Sequence, residues 1–299
     1  MSDYQHIVAH VRDTPWAILP AKLVAILDFI SIKAAGGNLT AEEIEQRIGA
    51  GRRPTARTAG AIAVLPLYGV ISQRMNMMSA ASGGTSIEQF TSGFRSALAD
   101  PQVGAIVLDV DSPGGSVQGV AELADEIHRG GRQKQIIAVA NSMSASAAYW
   151  IGSAANELVV TPSGEVGSIG VLAAHQDVSE AQEKIGVKTS LVSAGKYKTE
   201  GNPFEPLTDE ARAYIQARVD EHYGMFLKSV ATQRKVSLDT VRDGFGQGRM
   251  VGAKAAVKLG MADSIGTLDE TIARLSKGEK PRRMGREARE RRMRMAAQA

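Results

Sequence analysis

The stretch I-I-A-V-A-N-S-M-S-A-S-A-A-Y-W, residues 136–150, decides how the rest of the chain is read. Its first five residues form an apolar run of the kind that makes a buried strand. The remainder is rich in Ser and Ala, and a small-residue helix is expected over about 144–155. A strand feeding directly into a helix places one residue at the seam, where the helix N-terminus favours negative charge. Ser142, Ser144 and Ser146 all lie near that seam, and spacing does not choose among them. No G-x-S-x-G surrounds them to mark a nucleophile.

Upstream, G-A-I-V-L-D-V-D (104–111) reads as a second buried strand and runs into D-S-P-G-G-S (111–116). Pro113 and two glycines force a tight turn at that strand's C-terminal end, the edge where open α/β sheets bind ligands. Glycine lets backbone N–H groups approach a ligand closely, and such groups can hold an oxyanion. A-I-A-V-L-P-L-Y-G-V-I from Ala61, then E-L-V-V-T-P, S-I-G-V-L-A-A and K-T-S-L-V-S-A, continue the strand series. Between them Ile87, Phe90, Phe94 and Leu98 fall at helical spacing, and helices are expected at 118–128 and 208–232. Apolar strands alternating with helices mean an α/β domain with a largely buried sheet.

The chain has 299 residues, of which 43% are hydrophobic and 22% charged, an ordinary soluble composition. It has no cysteine, so disulfides and thiolate metal sites are excluded. No basic start followed by an apolar block opens it, so no signal peptide is expected. The run W-A-I-L-P-A-K-L-V-A-I-L-D-F-I-S-I is interrupted by Pro20, Lys22 and Asp28. It falls short of the ~20 apolar residues of a membrane span and is expected to be an amphipathic helix. Thr40 and Glu43 have the spacing of a capping box.

Three parts are expected. Residues 1–58 are a helical N-terminal segment and linker, 59–275 the α/β domain, and 276–299 a basic tail, helical or disordered. Residues 277–294 hold nine Lys or Arg against three Glu, so the chain's +3 charge belongs to the tail. The tail has no aromatic residue for base stacking, so it would touch nucleic acid only non-specifically.

A serine nucleophile needs a base. His6 and His10 precede the α/β domain, and His128 and His222 lie on amphipathic helices. His175 follows an expected strand. Lys196 and Lys198, in S-A-G-K-Y-K (193–198), also follow one.

D-S-P-G-G, S-M-S-A-S-A-A-Y, G-S-I-G-V and S-A-G-K-Y-K, in that order, resemble the signal peptide peptidase A family of serine proteases. Within it the likeness is to phage head-maturation (prohead) proteases, and it covers roughly residues 60–272. The resemblance implies a Clp protease/crotonase-like fold, a ring-like homo-oligomer and no metal or cofactor. It implies Ser146 as nucleophile, Lys198 as general base and Ser168 as the serine that orients the lysine. It also implies that the N–H groups of Gly115 and Ala147 form the oxyanion hole. A-S-A-A-Y stands where family members often have A-S-G-G-Y; alanine keeps its N–H, so the hole is expected to survive. Capsid and scaffold proteins are the implied substrates. The implied location is the host cytoplasm or the phage procapsid, with no membrane.

A lysine at its ordinary pKa of ~10.4 is neutral only about one time in a thousand at pH 7, so a lysine base has to be desolvated. Lys198 is therefore expected to be shut away from water when substrate is bound, and Lys196 to face solvent. Y-G-V-I-S-Q (68–73) and the loop after D-S-P-G-G are expected to take an extended peptide as an added strand. Small or apolar side chains beside the cut would suit the groove. Two alternatives stand beside this reading. One is a Ser–His, Clp-type peptidase using His175, with Asp177 as its orienting carboxylate. The other is a non-hydrolytic fold relative, either of crotonase type or an inactive assembly protein.

Overall fold

The computed structural model describes residues 14–34, 40, 43, 56–74 and 84–279. Its centre is a mainly parallel sheet. Strands β3 (Ile62–Tyr68), β6 (Ala105–Ser112), β8 (Gln135–Ala145) and β9 (Glu157–Val160) run parallel. β2 (Arg57–Ala59) adds to β3 as an antiparallel edge.

Period-two alternation divides the sheet's side chains between two cores. Ala63, Leu65, Leu67, Ile106, Leu108, Val110, Ile136, Ala138 and Ala140 face one way. Helices α2 (Ile87–Ala99), α3 (Val120–Gly130), α4 (Ala147–Ser153) and α6 (Asp209–Arg234) contribute to that core. Ile62, Val64, Ala105, Val107, Ile137 and Val139 face the other way, under Leu268 and Leu275 of α9 (Leu268–Ser276). Each Val, Leu or Ile among them contributes roughly 1.5–3 kcal/mol by leaving water. Burial on both faces is why these strands read as unbroken apolar runs.

The helices have recognisable starts. Ser86 caps α2 by accepting from Gln89 N–H, and Ile87, Phe90 and Phe94 are buried at the expected spacing, with Leu98 partly buried. Thr208 caps α6, whose Phe226 stacks on Trp150 with ring centroids 4.6 Å apart. That contact fixes α4 behind the seam. Thr267 and Glu270 form a capping box on α9, and Thr40 and Glu43 exchange the same pair of hydrogen bonds.

β8 changes neighbours along its length. Residues 137–140 pair with β9, while 143–145 pair with β10 (Glu165–Gly167). β10 continues to β11 (Met250–Gly252), which leads into α8 (Ala253–Leu259), and β12 (Ser264–Ile265) extends β9. The fork opens at Asn141–Met143, where the β6–β8 register also shifts between Val110 and Ser112.

A second, four-stranded sheet lies over this end in the order β1 (Trp16–Ile18), β7 (Gly114–Ser116), β4 (Ile71–Ser72), β5 (Thr85–Ser86). Helix α1 (Pro20–Ala34) follows β1.

The structure departs from the sequence reading in several places. Trp16–Ile18 is a strand rather than part of a helix, and the helix starts at Pro20. Proline suits that first position, where its missing N–H would have no intrahelical acceptor anyway. The seam helix begins at Ala147, not 144, because β8 continues through Ala145 to pair with β10. Residues 188–194 are not a strand. Leu191 and Val192 there are 44% and 99% exposed and pair with no strand among the described residues. Of 168–174, only Leu172 makes a bridge, to Trp16. Short helices α5 (Ser179–Lys184) and α7 (Leu238–Gly244) complete the elements. The basic run from Lys280 onward lies outside the described residues. Among those described, no helix is long and apolar enough to cross a membrane.

Candidate active site

Ser146 is the single residue between β8 and α4, with φ 53° and ψ −116°. Positive φ in a residue with a Cβ costs about 1–3 kcal/mol and persists only where its surroundings impose it. Here Ser146 N–H donates to the Gly167 carbonyl at 2.7 Å, and the Ser146 carbonyl accepts from Trp150 N–H at 2.9 Å. The first bond ties the elbow to β10 and the second to the helix. The other two serines have different surroundings. Ser142 is exposed on the strand. Ser144 is fully buried, and among the described residues its hydroxyl has no hydrogen-bond partner. Ser146 alone of the three occupies the strand-to-helix elbow.

The glycine turn closes on this elbow. An ideal Cβ on Gly114 would lie 3.0 Å from Ser146 Cβ, 3.0 Å from the Ala145 carbonyl oxygen and 2.2 Å from that of Ala17. Gly114 has φ +95°, a second reason for glycine there. Gly115 is equally confined, since its Cβ would fall 1.9 Å from the Ile71 carbonyl oxygen. Ser112 fixes the turn by accepting from Gly114 N–H at 3.1 Å and donating to the Gly69 carbonyl at 2.6 Å. Gly114 and Ser146 are thus brought together, with Gly115 next in the turn and Ala147 next in the helix. Ala147 is the first residue of α4, so its N–H has no acceptor within that helix.

The G-S-I-G-V segment forms the third wall. Gly167 and Ser168 both have positive φ, at 126° and 53°. Ser168 is buried, and its N–H donates to the Arg249 carbonyl at 2.9 Å. Ser146 Oγ donates to the Gly170 carbonyl at 3.4 Å.

Lys198 is exposed in the single chain, in an irregular segment between α5 and α6, where its N–H donates to the Gly195 carbonyl at 3.1 Å. Lys196 faces solvent as expected, with its ammonium 2.6 Å from the Tyr197 hydroxyl and 3.2 Å from Glu210. Hydrogen bonds to that hydroxyl and carboxylate hold its pKa above the ordinary lysine value, which suits it poorly to be a base. His175 Nε2 lies 3.2 Å from the Asn202 carbonyl oxygen. Asp177, the carboxylate expected to orient it, accepts from Ser179 N–H at 2.9 Å.

One cluster escaped the sequence reading. Asp109, 4% exposed in the middle of an apolar strand, accepts from the Tyr68 hydroxyl and from Asn141 Nδ2, the latter at 3.1 Å. Asp111 accepts from the N–H groups of Ser142 and Met143, while burial raises its pKa. Burial and the Asp109 carboxylate also push the Tyr68 phenol upward. Together these groups brace the fork in β8 that precedes the elbow. The sequence signal was an acid inside a buried strand run, which demands a partner.

Residues 128–281 match the family described as Peptidase family S49. The head-tail preconnector protein of Enterobacteria phage P21 is 33% identical over 77% of this chain and 46% of that protein. Capsid assembly protease C of Escherichia phage lambda is 36% identical over 68% of this chain and 46% of that protein. Protease 4 of Salmonella typhi is 33% identical over 73% of this chain and 35% of that protein. The chain therefore spans about half the length, or less, of these curated relatives. With Ser146 and the segment from β8 to α9 inside the matched region, the chain belongs to peptidase family S49.

Proposed function

We propose that the chain is a serine endopeptidase in which Ser146 is the nucleophile and Lys198 the general base. The observation that carries this reading is the elbow: a strained, buried serine with Gly114 packed against it and Gly115, confined by Ile71, next in the same turn. In the cycle, Ser146 Oγ attacks a peptide carbonyl while Lys198 accepts its proton. The oxyanion develops against the N–H groups of Gly115 and Ala147. Lys198 returns the proton to the leaving amine, and water then releases the acyl-enzyme. Ser168 would hold the lysine in line.

Lys198 is exposed in the single chain, so its desolvation must come from bound substrate or a neighbouring copy. The segment around it is suited to being covered, with Ile185, Leu191, Val192 and Tyr197 all exposed. A ring-like homo-oligomer would supply that cover. The proposed substrates are capsid and scaffold proteins, in keeping with the lambda relative's being a capsid assembly protease.

The test is cleavage of co-expressed capsid and scaffold proteins, read by mass spectrometry. Ser146→Ala and Lys198→Ala are expected to abolish it, and His175→Ala to leave it intact. Activity in either of the first two variants would overturn the assignment. A dead His175→Ala beside an active Lys198→Ala would replace it with the histidine-dependent mechanism.

A further inference from the structure

The place where an extended peptide should lie is already filled by this chain. β1 pairs antiparallel with β7, with Trp16 opposite Ser116, Ala17 opposite Gly115 and Ile18 opposite Gly114. On its other side Trp16 N–H donates to the Leu172 carbonyl at 2.8 Å, and Leu172 N–H to the Trp16 carbonyl at 2.9 Å. The strand is therefore held on both edges, between the glycine turn and the segment that follows Ser168.

The register is informative. Val117 N–H donates to the Pro15 carbonyl at 3.3 Å, and Leu19 N–H to the Pro113 carbonyl at 2.9 Å. Hydrogen-bonding pairs alternate every second residue along an antiparallel ladder, so the pair between these two is Ala17 with Gly115. The Gly115 N–H, assigned above to the oxyanion hole, thus faces the Ala17 carbonyl. One ideal Cβ position, on Gly114, lies 2.2 Å from the Ala17 oxygen and 3.0 Å from Ser146 Cβ. The carbonyl and the nucleophile's Cβ flank one atom-sized gap. Ser146 itself is 0% exposed.

The packing shows how this segment could leave. Only Ala17 of β1 joins the main core. Trp16 and Ile18 belong to a separate cluster with Leu23, Ile26, Phe29 and Ile30 of α1, plus Val70, Leu172 and Ala174. Peeling away β1 and α1 would open that cluster and leave both faces of the parallel sheet packed.

We propose that residues 14–34 are a built-in latch, with β1 lying in the peptide groove in the place of a substrate. The Ala17 carbonyl occupies the oxyanion position, and the strand has to leave before a protein substrate can be cut. This inference rests on the assignment of Ser146 and Gly115 made above.

The test loosens the latch from outside the site. Ile26→Ala weakens the α1 cluster without touching the groove. In the full chain it is expected to raise both cleavage of an unfolded protein substrate and fluorophosphonate labelling of Ser146 at least tenfold. Binding is measured separately in a Ser146→Ala background, with a fluorescent peptide of residues 12–21 added in trans. Ile26→Ala is expected to tighten that binding by a similar factor. Unchanged binding in a folded Ile26→Ala chain overturns the latch, whatever the turnover.

A second variant covers the case in which Ile26→Ala does not fold. Trp16 and Leu172 form a hydrogen-bonded antiparallel pair, whose Cα atoms lie about 5.5 Å apart, within disulfide reach. The chain has no cysteine of its own. A Trp16→Cys, Leu172→Cys chain should bind the peptide when reduced and refuse it when oxidised. Equal binding in the two states sinks the proposal. Binding that opens with the latch, in forms that never cleave or label, would retain the latch and remove the peptidase reading.

Discussion

Gly115 and Ile71 approach so closely that an ideal Cβ on the glycine would sit 1.9 Å from the Ile71 carbonyl oxygen. The obstacle is backbone, so a side chain at 115 can be admitted only by moving β7 off β4. Gly115→Ala is expected to destabilise the fold by about 1–3 kcal/mol, as overpacking does. It should also abolish turnover, because the Gly115 N–H moves with the strand. Urea denaturation and cleavage assays check the two effects. Wild-type turnover in the alanine variant would refute the oxyanion role.

Gly93 is the counterpart. It lies within α2, and nothing stands within 4 Å of its ideal Cβ. Gly93→Ala should stabilise the chain by about 0.5–1 kcal/mol through lower unfolded-state entropy and better helix propensity. Activity should not change, and a thermal melt is sufficient to decide the stability effect.

Arg234 and Asp263 form an ion pair at 2.7 Å with both side chains fully buried. Asp263 also accepts from Leu158 N–H at 2.9 Å, and Arg234 donates to the Gly260 carbonyl at 3.1 and 3.3 Å. Asp263→Ala leaves a buried cation without its counter-charge and should cost about 3–5 kcal/mol. Replacing both residues with apolar ones of similar volume should cost less than that single change. A denaturant series on the three chains would show whether it does.

The Glu126 carboxyl accepts two hydrogen bonds from Arg95, at 2.6 and 2.8 Å, which hold its pKa below the ordinary glutamate value. A carboxylate depressed in the folded state stabilises above its unfolded pKa, and that contribution is lost as pH falls through the folded value. Glu126→Gln should therefore lower the urea midpoint slightly at pH 7. The gap from wild type should close on acidification below the ordinary glutamate range. A gap that widens toward low pH would contradict the sign.

Much of the fold was open to reading because its main signals are local. The apolar runs that became β3, β6, β8 and β9 carry their burial in composition. The spacing of Ile87, Phe90 and Phe94 carries the buried face of α2. The D-S-P-G-G turn announces itself by two glycines that no other residue could replace, as their neighbouring backbone atoms now explain. Expectations went astray where an apolar run had no strand to join, as at Leu191 and Val192. They also failed where a remote strand captured a segment, as at Trp16–Ile18.

The sequence by itself determined the alternation of strand and helix, the glycine turn and the supply of serines near a sheet edge, because periodicity and backbone permissiveness are properties of neighbouring residues. Tertiary structure alone decided that Ser146 rather than Ser142 or Ser144 stands at the elbow, since that depends on β8 leaving β9 for β10. It alone placed Ala17 against Gly115, a pairing between residues nearly a hundred positions apart. Such a contact forms only once the intervening chain has folded, and no local pattern in W-A-I encodes its partner.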